Sequence, residues 1–275
     1  MEIFRQLLLA AFFIYLAMLL FLYLLQKKFI FSPIRSKHAL QAPGSLPFLL
    51  ERPEAVLRGW LINGQFASSR MIIYYGGNSE DIYLSKDQFS SYVDTAVLLV
   101  NYRGYGISTG IPGEKQFYED ALAVFDEVRV AYAPSTLFLM GKSLGAAVAC
   151  CVARRRWASA IILVTPFDSL ETLAKKRYPY IPVSLVLRHK FPAAQHLEEV
   201  QIPALVLDAG LDRIVPATAT EKLLMHMKMK KKVVCIEEAE HNTIELFDEY
   251  QLALLQFITP AGEPEENVSS REIRK

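Results

Sequence analysis

The chain has 275 residues, a formal net charge of +1, a hydrophobic fraction of 52% and a charged fraction of 21%. The near-neutral charge gives no electrostatic basis for non-specific nucleic-acid binding, and the apolar content argues against a disordered chain. Three cysteines always leave one unpaired, and no Cys/His spacing resembles a zinc ligand set. These counts disfavour a disulfide-stapled module and a metal-dependent fold.

The apolar residues are concentrated near the N-terminus, where residues 7–25 read LLLAAFFIYLAMLLFLYLL without a charge. A helix of this length spans about 28 Å, which matches the hydrocarbon core of a bilayer. We interpret it as an uncleaved anchor, because a cleavable signal peptide has a shorter apolar region that ends in a small-x-small site. Residues 1–37 are therefore predicted to be a membrane anchor with its flank. The second flank carries more basic residues than the first, which favours a cytoplasmic domain: Lys27, Lys28, Arg35 and Lys37.

Residues 38–55 carry three prolines and are predicted to be a linker that settles onto the following domain. Beyond them, short apolar blocks predict strands that are buried on both faces, at residues 56–62, 71–75, 96–100, 136–140, 161–164, 204–207 and 233–236. Segments with helical periodicity lie between them, at residues 85–92, 114–132, 144–156, 169–176, 217–229 and 244–258. The alternation predicts one α/β domain over residues 38–259, with a mainly parallel sheet and helices on both faces. Ligands of such folds bind at the carboxyl ends of the strands.

Two segments depart from the alternation. Residues 168–200 contain several prolines and an apolar patch, YPYIPV, and are too long for an ordinary connection. We predict a small helical excursion over the strand ends, and the residues leave open whether it is a lid or a packed surface segment. The polar residues 260–275 are predicted to be a disordered tail.

The strongest chemical signal is the pentapeptide Gly141-Lys142-Ser143-Leu144-Gly145, which follows a predicted strand and precedes a small-residue helix. This is the G-x-S-x-G nucleophile elbow in its strand–turn–helix setting. The sharp turn exposes the serine hydroxyl above the sheet, beside the N–H groups of a helix N-terminus. Ser143 is therefore predicted to be a nucleophile, and Lys142 is expected to pack beside the turn.

A serine needs a base to become nucleophilic at neutral pH, and the base needs an orienting acid. Among the histidines after Ser143, only His241 lies in a loop directly after a predicted strand. We interpret the other histidines of the chain as surface or packing residues: His38, His189, His196 and His226. For the acid we choose Asp212, at a loop tip after residues 204–207, over Asp208 at the strand end. Asp168 is a weaker rival whose other role is helix capping.

The negative charge that develops on the substrate oxygen requires two backbone N–H donors. One belongs to Leu144, directly after the predicted nucleophile. The second is expected from the glycine-rich loop after residues 71–75, where we choose Gly77, with Gly76 and Asn78 as alternatives by register.

Together these motifs resemble the membrane-anchored α/β-hydrolase domain-containing proteins and their bacterial relatives. The matching pieces are YYGGNSED, NYRGYGISTG, GKSLG, DAGLDRIVP and EHN, within about residues 40–258. The resemblance implies an α/β-hydrolase fold and a serine hydrolase whose triad is Ser143, Asp212 and His241. This chain has Tyr75-Gly76 where many relatives carry His-Gly.

The predicted activity is hydrolysis of an acyl ester or thioester through an acyl-enzyme, without a cofactor or a metal. The expected partners are the membrane, through the N-terminal helix, and a small acyl substrate such as a lipid or an acylated protein, with no nucleic acid. The alternatives are a serine peptidase or amidase, and an inactive membrane-tethered interaction protein with the same fold.

Overall fold

The computed structural model describes residues 1–36, 38–90, 92 and 94–259, so the predicted tail at residues 260–275 lies outside the described residues. The helices are α1 Glu2–Ile30, α2 Lys86–Ser90, α3 Glu114–Ala131, α4 Leu144–Arg155, α5 Leu170–Arg177, α6 Val183–Val186, α7 Ala193–Leu197, α8 Ala217–His226 and α9 Asp248–Ile258. The strands are β1 Ser45–Arg52, β2 Ala55–Ile62, β3 Arg70–Tyr75, β4 Ala96–Val100, β5 Thr136–Lys142, β6 Ala160–Val164, β7 Ala204–Ala209 and β8 Lys231–Ile236.

Within the described residues these strands form one eight-stranded sheet in the order β1-β2-β4-β3-β5-β6-β7-β8. The β1–β2 and β2–β4 pairs are antiparallel, and every pair from β4 to β8 is parallel. The central strands β3 to β6 are buried along nearly their whole length, which is why they read as continuous apolar blocks. The predicted α/β fold with a mainly parallel sheet is confirmed.

The predicted linker at residues 38–55 is wrong in part, because it contains strand β1. This strand pairs with β2 from Ser45↔Ile62 to Arg52↔Ala55 and forms the edge of the sheet. Most of its residues are exposed or half-buried, so it lacks the apolar block that marks the inner strands. Pro47 is compatible with this position, since an edge strand does not need every N–H in the ladder.

Helices cover both faces of the sheet. On one face, α3, α4, α7 and α8 pack into a core with the inward side chains of β2 to β7. On the other face, Phe89 of α2 and Tyr250 and Leu254 of α9 pack against the opposite side of the same strands. The two layers hold the sheet rigid and leave the carboxyl ends of β3, β5, β7 and β8 to carry loops.

The predicted helical excursion consists of α5, α6 and α7. Pro182 and Pro192 precede α6 and α7 at the N-cap position, so they start new helices instead of allowing one long helix. The most apolar 18-residue stretch of helix α1 has a mean hydropathy of 2.7 and lies outside the core; the length and composition of the helix fit a membrane anchor and also a signal sequence.

Candidate active site

Ser143 occupies a strained turn between β5 and α4. Its backbone has φ 52° and ψ −114°, outside the regions that ordinary residues adopt, and its N–H donates to the Val164 carbonyl at 2.8 Å. Such strain is held only where the surrounding structure fixes the backbone, and it is the geometry of a nucleophile elbow. The Ser143 side chain therefore stands at the carboxyl end of β5, where the sequence places it.

Two glycines permit the turn because their neighbours leave no room for a side chain. A Cβ on Gly145 would lie 1.9 Å from the Tyr75 carbonyl oxygen, and one on Gly141 would lie 2.2 Å from the Gly145 carbonyl oxygen. These contacts bring α4 against the end of β3 and the loop that follows it. The close approach places Ser143 beside that loop, which carries the predicted oxyanion donors.

His241 and Asp212 are joined by a hydrogen bond. The distance from His241 Nδ1 to Asp212 Oδ2 is 2.6 Å, and both side chains are more than 90% buried. Asp212 Oδ1 accepts from the N–H groups of Ile214 and Val215 at 2.8 and 2.7 Å, so the carboxylate is fixed by its own loop. With the carboxylate as acceptor, Nδ1 carries the proton and Nε2 is left as the basic nitrogen.

Backbone hydrogen bonds hold the loops of these two residues together. The N–H of Gly210 donates to Ile236 and that of Leu211 to Ala239, each at 2.9 Å, which ties the loop after β7 to the loop after β8. Among the described residues no hydrogen bond joins the Ser143 hydroxyl to His241. The structure thus brings the predicted base and acid together, whereas the predicted nucleophile has no described hydrogen bond to either.

The rival acids lie elsewhere. Asp208 is still within β7 and accepts from the Thr220 hydroxyl at 3.3 Å, while burial raises its pKa above the ordinary range. Asp168 accepts from the Thr172 hydroxyl at 2.7 Å, next to Ser169, which caps α5. Neither carboxylate has a described hydrogen bond to His241, so the geometry favours Asp212.

The second predicted oxyanion donor has a different partner. The Gly77 N–H donates to Glu80 Oε2 at 2.7 Å, so it faces a carboxylate, which would repel a developing oxyanion. In the part of the chain that the structure describes, the next amide along the loop, Asn78, has no backbone hydrogen bond. The Leu144 N–H begins α4 and has no acceptor within the helix. Among the described residues the Gly76 N–H likewise has no backbone acceptor, so the second donor, at Gly77 or at one of its register alternatives, stays a prediction.

Glu80 was not singled out from the sequence, and it fixes the loop after β3. Its carboxylate accepts from the Tyr74 hydroxyl at 3.0 Å, from the Ser85 hydroxyl at 2.6 Å and from the Gly77 N–H. The acidic pair in YYGGNSED is the only sequence signal for this role, and it does not say which backbone group the carboxylate holds.

Tyr75, the residue that departs from the family pattern, points into the core. Its side chain is 3% exposed and its hydroxyl donates to the Ala121 carbonyl of α3 at 3.3 Å. Tyr75 therefore supports the packing of α3 on the sheet.

Lys142 forms an ion pair with Glu245 across the site. Its Nζ lies 2.8 and 2.9 Å from the two carboxylate oxygens, and the two side chains are 11% and 27% exposed. Lys142 is the last residue of β5, next to Ser143, and Glu245 lies in the 3-10 turn that follows the His241 loop. The pair therefore links the elbow to the loop of the predicted base, and we expect Lys142 to act as a positioning residue as well as a packing residue.

We expect Lys142→Met and Glu245→Gln each to lower kcat about tenfold while KM changes little, because the loop of His241 loses its attachment to the elbow. Steady-state kinetics checks this, and a double-mutant cycle on the free energy of unfolding should give a coupling of about 1–3 kcal/mol for a largely desolvated pair. Lys115→Met, which removes the exposed 3.7 Å pair with Glu119, is the control and should change neither quantity. Equal losses in kcat for Lys142→Met and the control would remove the positioning role.

Three comparisons with known proteins agree with this architecture. A family model described as "Serine aminopeptidase, S33" matches residues 92–192. An uncharacterized protein of Mycobacterium tuberculosis is 36% identical over 162 residues, which cover 56% of this chain and 55% of that protein. Human alpha/beta hydrolase domain-containing protein 17C is 28% identical over 207 residues, which cover 70% of this chain and 59% of that protein. The matches thus span little more than half of each relative.

Solved structures show the same fold at low sequence identity. Esterase Pf2001 of Pyrococcus furiosus superposes with a TM-score of 0.66 at 16% identity, covering 83% of this chain and 96% of the esterase. Est1E of Butyrivibrio proteoclasticus, solved with ferulic acid, has a TM-score of 0.61 at 17% identity and covers 77% of this chain and 100% of its own. At these sequence identities the structural similarity shows the fold alone and says nothing about the substrate.

Proposed function

We propose that this chain belongs to the α/β-hydrolase superfamily and is a serine hydrolase that cleaves an acyl ester or thioester. The observation that carries the proposal is the 2.6 Å hydrogen bond between His241 and Asp212. Both residues lie after the carboxyl ends of their strands, as does the strained Ser143 turn. An elbow serine followed by an acid and a histidine, each on a loop after a strand, is the arrangement that nucleophilic acyl transfer requires.

In the proposed reaction His241 Nε2 takes the proton of the Ser143 hydroxyl as its oxygen attacks the acyl carbonyl. Asp212 stabilises the imidazolium that forms and holds the ring in the correct orientation. His241 then gives the proton to the leaving alcohol or thiol, which leaves an acyl-enzyme. Water, deprotonated by the same histidine, attacks this ester, and His241 returns the proton to the Ser143 oxygen as the carboxylic acid leaves.

The tetrahedral intermediates carry negative charge on the former carbonyl oxygen. We assign its stabilisation to the backbone N–H groups of Leu144 and Asn78. Glu80 contributes by fixing the loop through the Gly77 amide. One such donor is typically worth about 3 kcal/mol in the transition state.

The proposed substrate is a lipid-like ester or an acylated protein, because α1 is an apolar helix that fits a membrane anchor. Residues 1–37 would hold residues 38–259 at the membrane, and the basic residues at the end of α1 favour the cytoplasmic face. The proposal requires neither a cofactor nor a metal.

A second candidate is hydrolysis of amides, because the matching family model is described as a serine aminopeptidase. The same three side chains serve both reactions, and the difference lies in the leaving group. An inactive scaffold with the same fold is the remaining alternative; the buried, paired His241 and Asp212 argue against it, since a scaffold has no need for such a pair.

A series of acyl esters, thioesters and amides with increasing chain length tests the proposal on the full chain in detergent. We expect turnover of esters and thioesters to exceed that of matched amides, and longer acyl chains to be preferred over acetyl. Ser143→Ala protein is the control for hydrolysis by contaminants. Faster cleavage of N-terminal aminoacyl amides than of every ester would favour the peptidase instead.

A further inference from the structure

The excursion runs along the apolar helix α1. Between them the Gln26 side chain makes two hydrogen bonds, with Nε2 donating to the Val186 carbonyl at 3.2 Å and Oε1 accepting from the Arg188 N–H at 2.7 Å. Further towards the N-terminus of α1, the Tyr15 hydroxyl donates to the Tyr180 carbonyl at 2.8 Å. The excursion therefore follows the helix from Gln26, about one turn before its C-terminal end, to Tyr15 at its middle.

These contacts set the depth of the excursion relative to a bilayer. Gln26 precedes the charged residues Lys27 and Lys28, which mark the level of the lipid headgroups. Tyr15 is eleven residues earlier, about 16 Å along the helix axis, near the middle of the uncharged run. A helix that spans the bilayer, even tilted, therefore brings Tyr180 well below the headgroups and into the hydrocarbon region.

The tip of the excursion, residues 178–187, has the side chains that this environment requires. Tyr180 is 89% exposed, Leu185 81% and Tyr178 57%, although all three are large and apolar or amphipathic. Exposure of this kind on a connecting segment marks an interaction surface. The residues just before the tip are basic and exposed, as expected for contact with anionic headgroups: Lys175, Lys176 and Arg177.

Most backbone donors of the tip are bonded within the protein, as an apolar medium requires. Irregular backbone is tolerated at membrane depth only where its polar groups are bonded within the protein. Pro179 and Pro182 have no N–H, and Gln26 and Tyr15 supply partners from α1. Six further N–H groups have an acceptor inside the excursion, those of Tyr178, Ile181, Val183, Leu185, Val186 and Leu187; among the described residues, the N–H groups of Tyr180 and Ser184 have no backbone acceptor.

The same end of α1 is connected to the candidate active site. The Asn78 side chain donates to the Ile30 carbonyl at 2.7 Å, so the last residue of the helix is held by the loop to which we assign an oxyanion donor. The carboxyl ends of the strands, with Ser143, therefore face the same side as the helix and the excursion.

We propose that residues 178–187 insert into the lipid leaflet beside the second half of α1, so that the enzyme takes its acyl substrate directly from that leaflet. The insertion stands on the contacts with α1, and the choice of substrate rests on the proposed function. The tip and the helix form one membrane-embedded unit, and the basic residues around it bind the headgroups.

Tryptophan fluorescence in vesicles tests the insertion on the full chain. Tyr180→Trp and Leu185→Trp, each combined with Trp157→Phe, carry a reporter at the tip; the remaining Trp60 is fully buried. In vesicles of phosphatidylcholine and phosphatidylglycerol with brominated acyl chains, we expect emission from either tip residue to fall by about half relative to unbrominated lipid. The unaltered chain is the control. Its Trp157 is 71% exposed and lies just before β6, at the amino-terminal end of a strand whose carboxyl end faces the candidate site, and it should be quenched by aqueous iodide. Tip residues that are quenched by iodide and not by bromine would overturn the proposal.

A second variant separates the insertion from the activity. Tyr180→Asp should lower hydrolysis of a long-chain ester embedded in vesicles about tenfold, while a water-soluble short-chain ester is cleaved within about twofold of the unaltered rate. Equal loss on both esters would overturn the proposed route from the leaflet. If the unaltered protein cleaves no ester, the proposed function fails, and the bromine quenching still decides whether the tip is inserted.

Discussion

His241→Ala is expected to lower kcat about 10⁴-fold, because the Ser143 hydroxyl then has no base and the leaving group no proton donor. Stability should change little, since Asp212 keeps its hydrogen bonds from Ile214 and Val215. Steady-state hydrolysis of the preferred ester and the thermal midpoint of unfolding measure the two effects separately.

The matched control for this variant is His226→Ala. His226 also bonds a carboxylate through Nδ1, Glu198 at 2.8 Å, but it lies on the exposed end of α8. Its loss should leave kcat unchanged. Turnover of the His241→Ala protein near that of the control would place the base on another residue.

Gly145→Ala is expected to have the largest effect on stability. Its methyl group would lie 1.9 Å from the Tyr75 carbonyl and 2.6 Å from the Gly76 carbonyl, and backbone on both sides would have to move. We expect a loss of about 3 kcal/mol or more in the free energy of unfolding, together with loss of turnover, because the loop after β3 is displaced. Denaturant titration in detergent measures the change.

Gly77→Ala serves as the control in the same loop. Its methyl group would meet Glu80 Oε2 at 3.4 Å, an ordinary contact, and the stability should stay within about 1 kcal/mol of the original. Similar losses for both glycines would mean that the close approach of α4 to the loop after β3 does not limit stability.

The inner strands were readable from the sequence because a parallel sheet with helices on both faces needs apolar residues at every position. The sequence prediction at residues 96–100 coincides with β4 for this reason. Strand β1 was missed because an edge strand has no such requirement, and its single buried residue, Phe48, gives no pattern. The short α2, at Lys86–Ser90 within the predicted helix at residues 85–92, shows the usual uncertainty of helix ends.

The sequence predicts those parts of the candidate site that depend on a short motif or on the order of residues along the chain. The elbow around Ser143 and the loop positions of Asp212 and His241 follow from motif and chain order, whereas the tie between Lys142 and Glu245 joins residues 103 positions apart and has no local signal. The contact between the Gly77 N–H and Glu80 has no local signal either, because a sequence does not say which way an amide points; Gly77 as an oxyanion donor stays a prediction. That Ser143, Asp212 and His241 act together remains a prediction.

Labelling with a fluorophosphonate probe tests the central claim most directly, since such probes react covalently with activated serines. Our account predicts that the folded full chain is labelled, that mass spectrometry maps the adduct to Ser143, and that Ser143→Ala protein is not labelled. Equal labelling of both proteins would show that the reactive serine is another residue. A folded protein that is not labelled at all would contradict the account and favour a scaffold with a hydrolase fold.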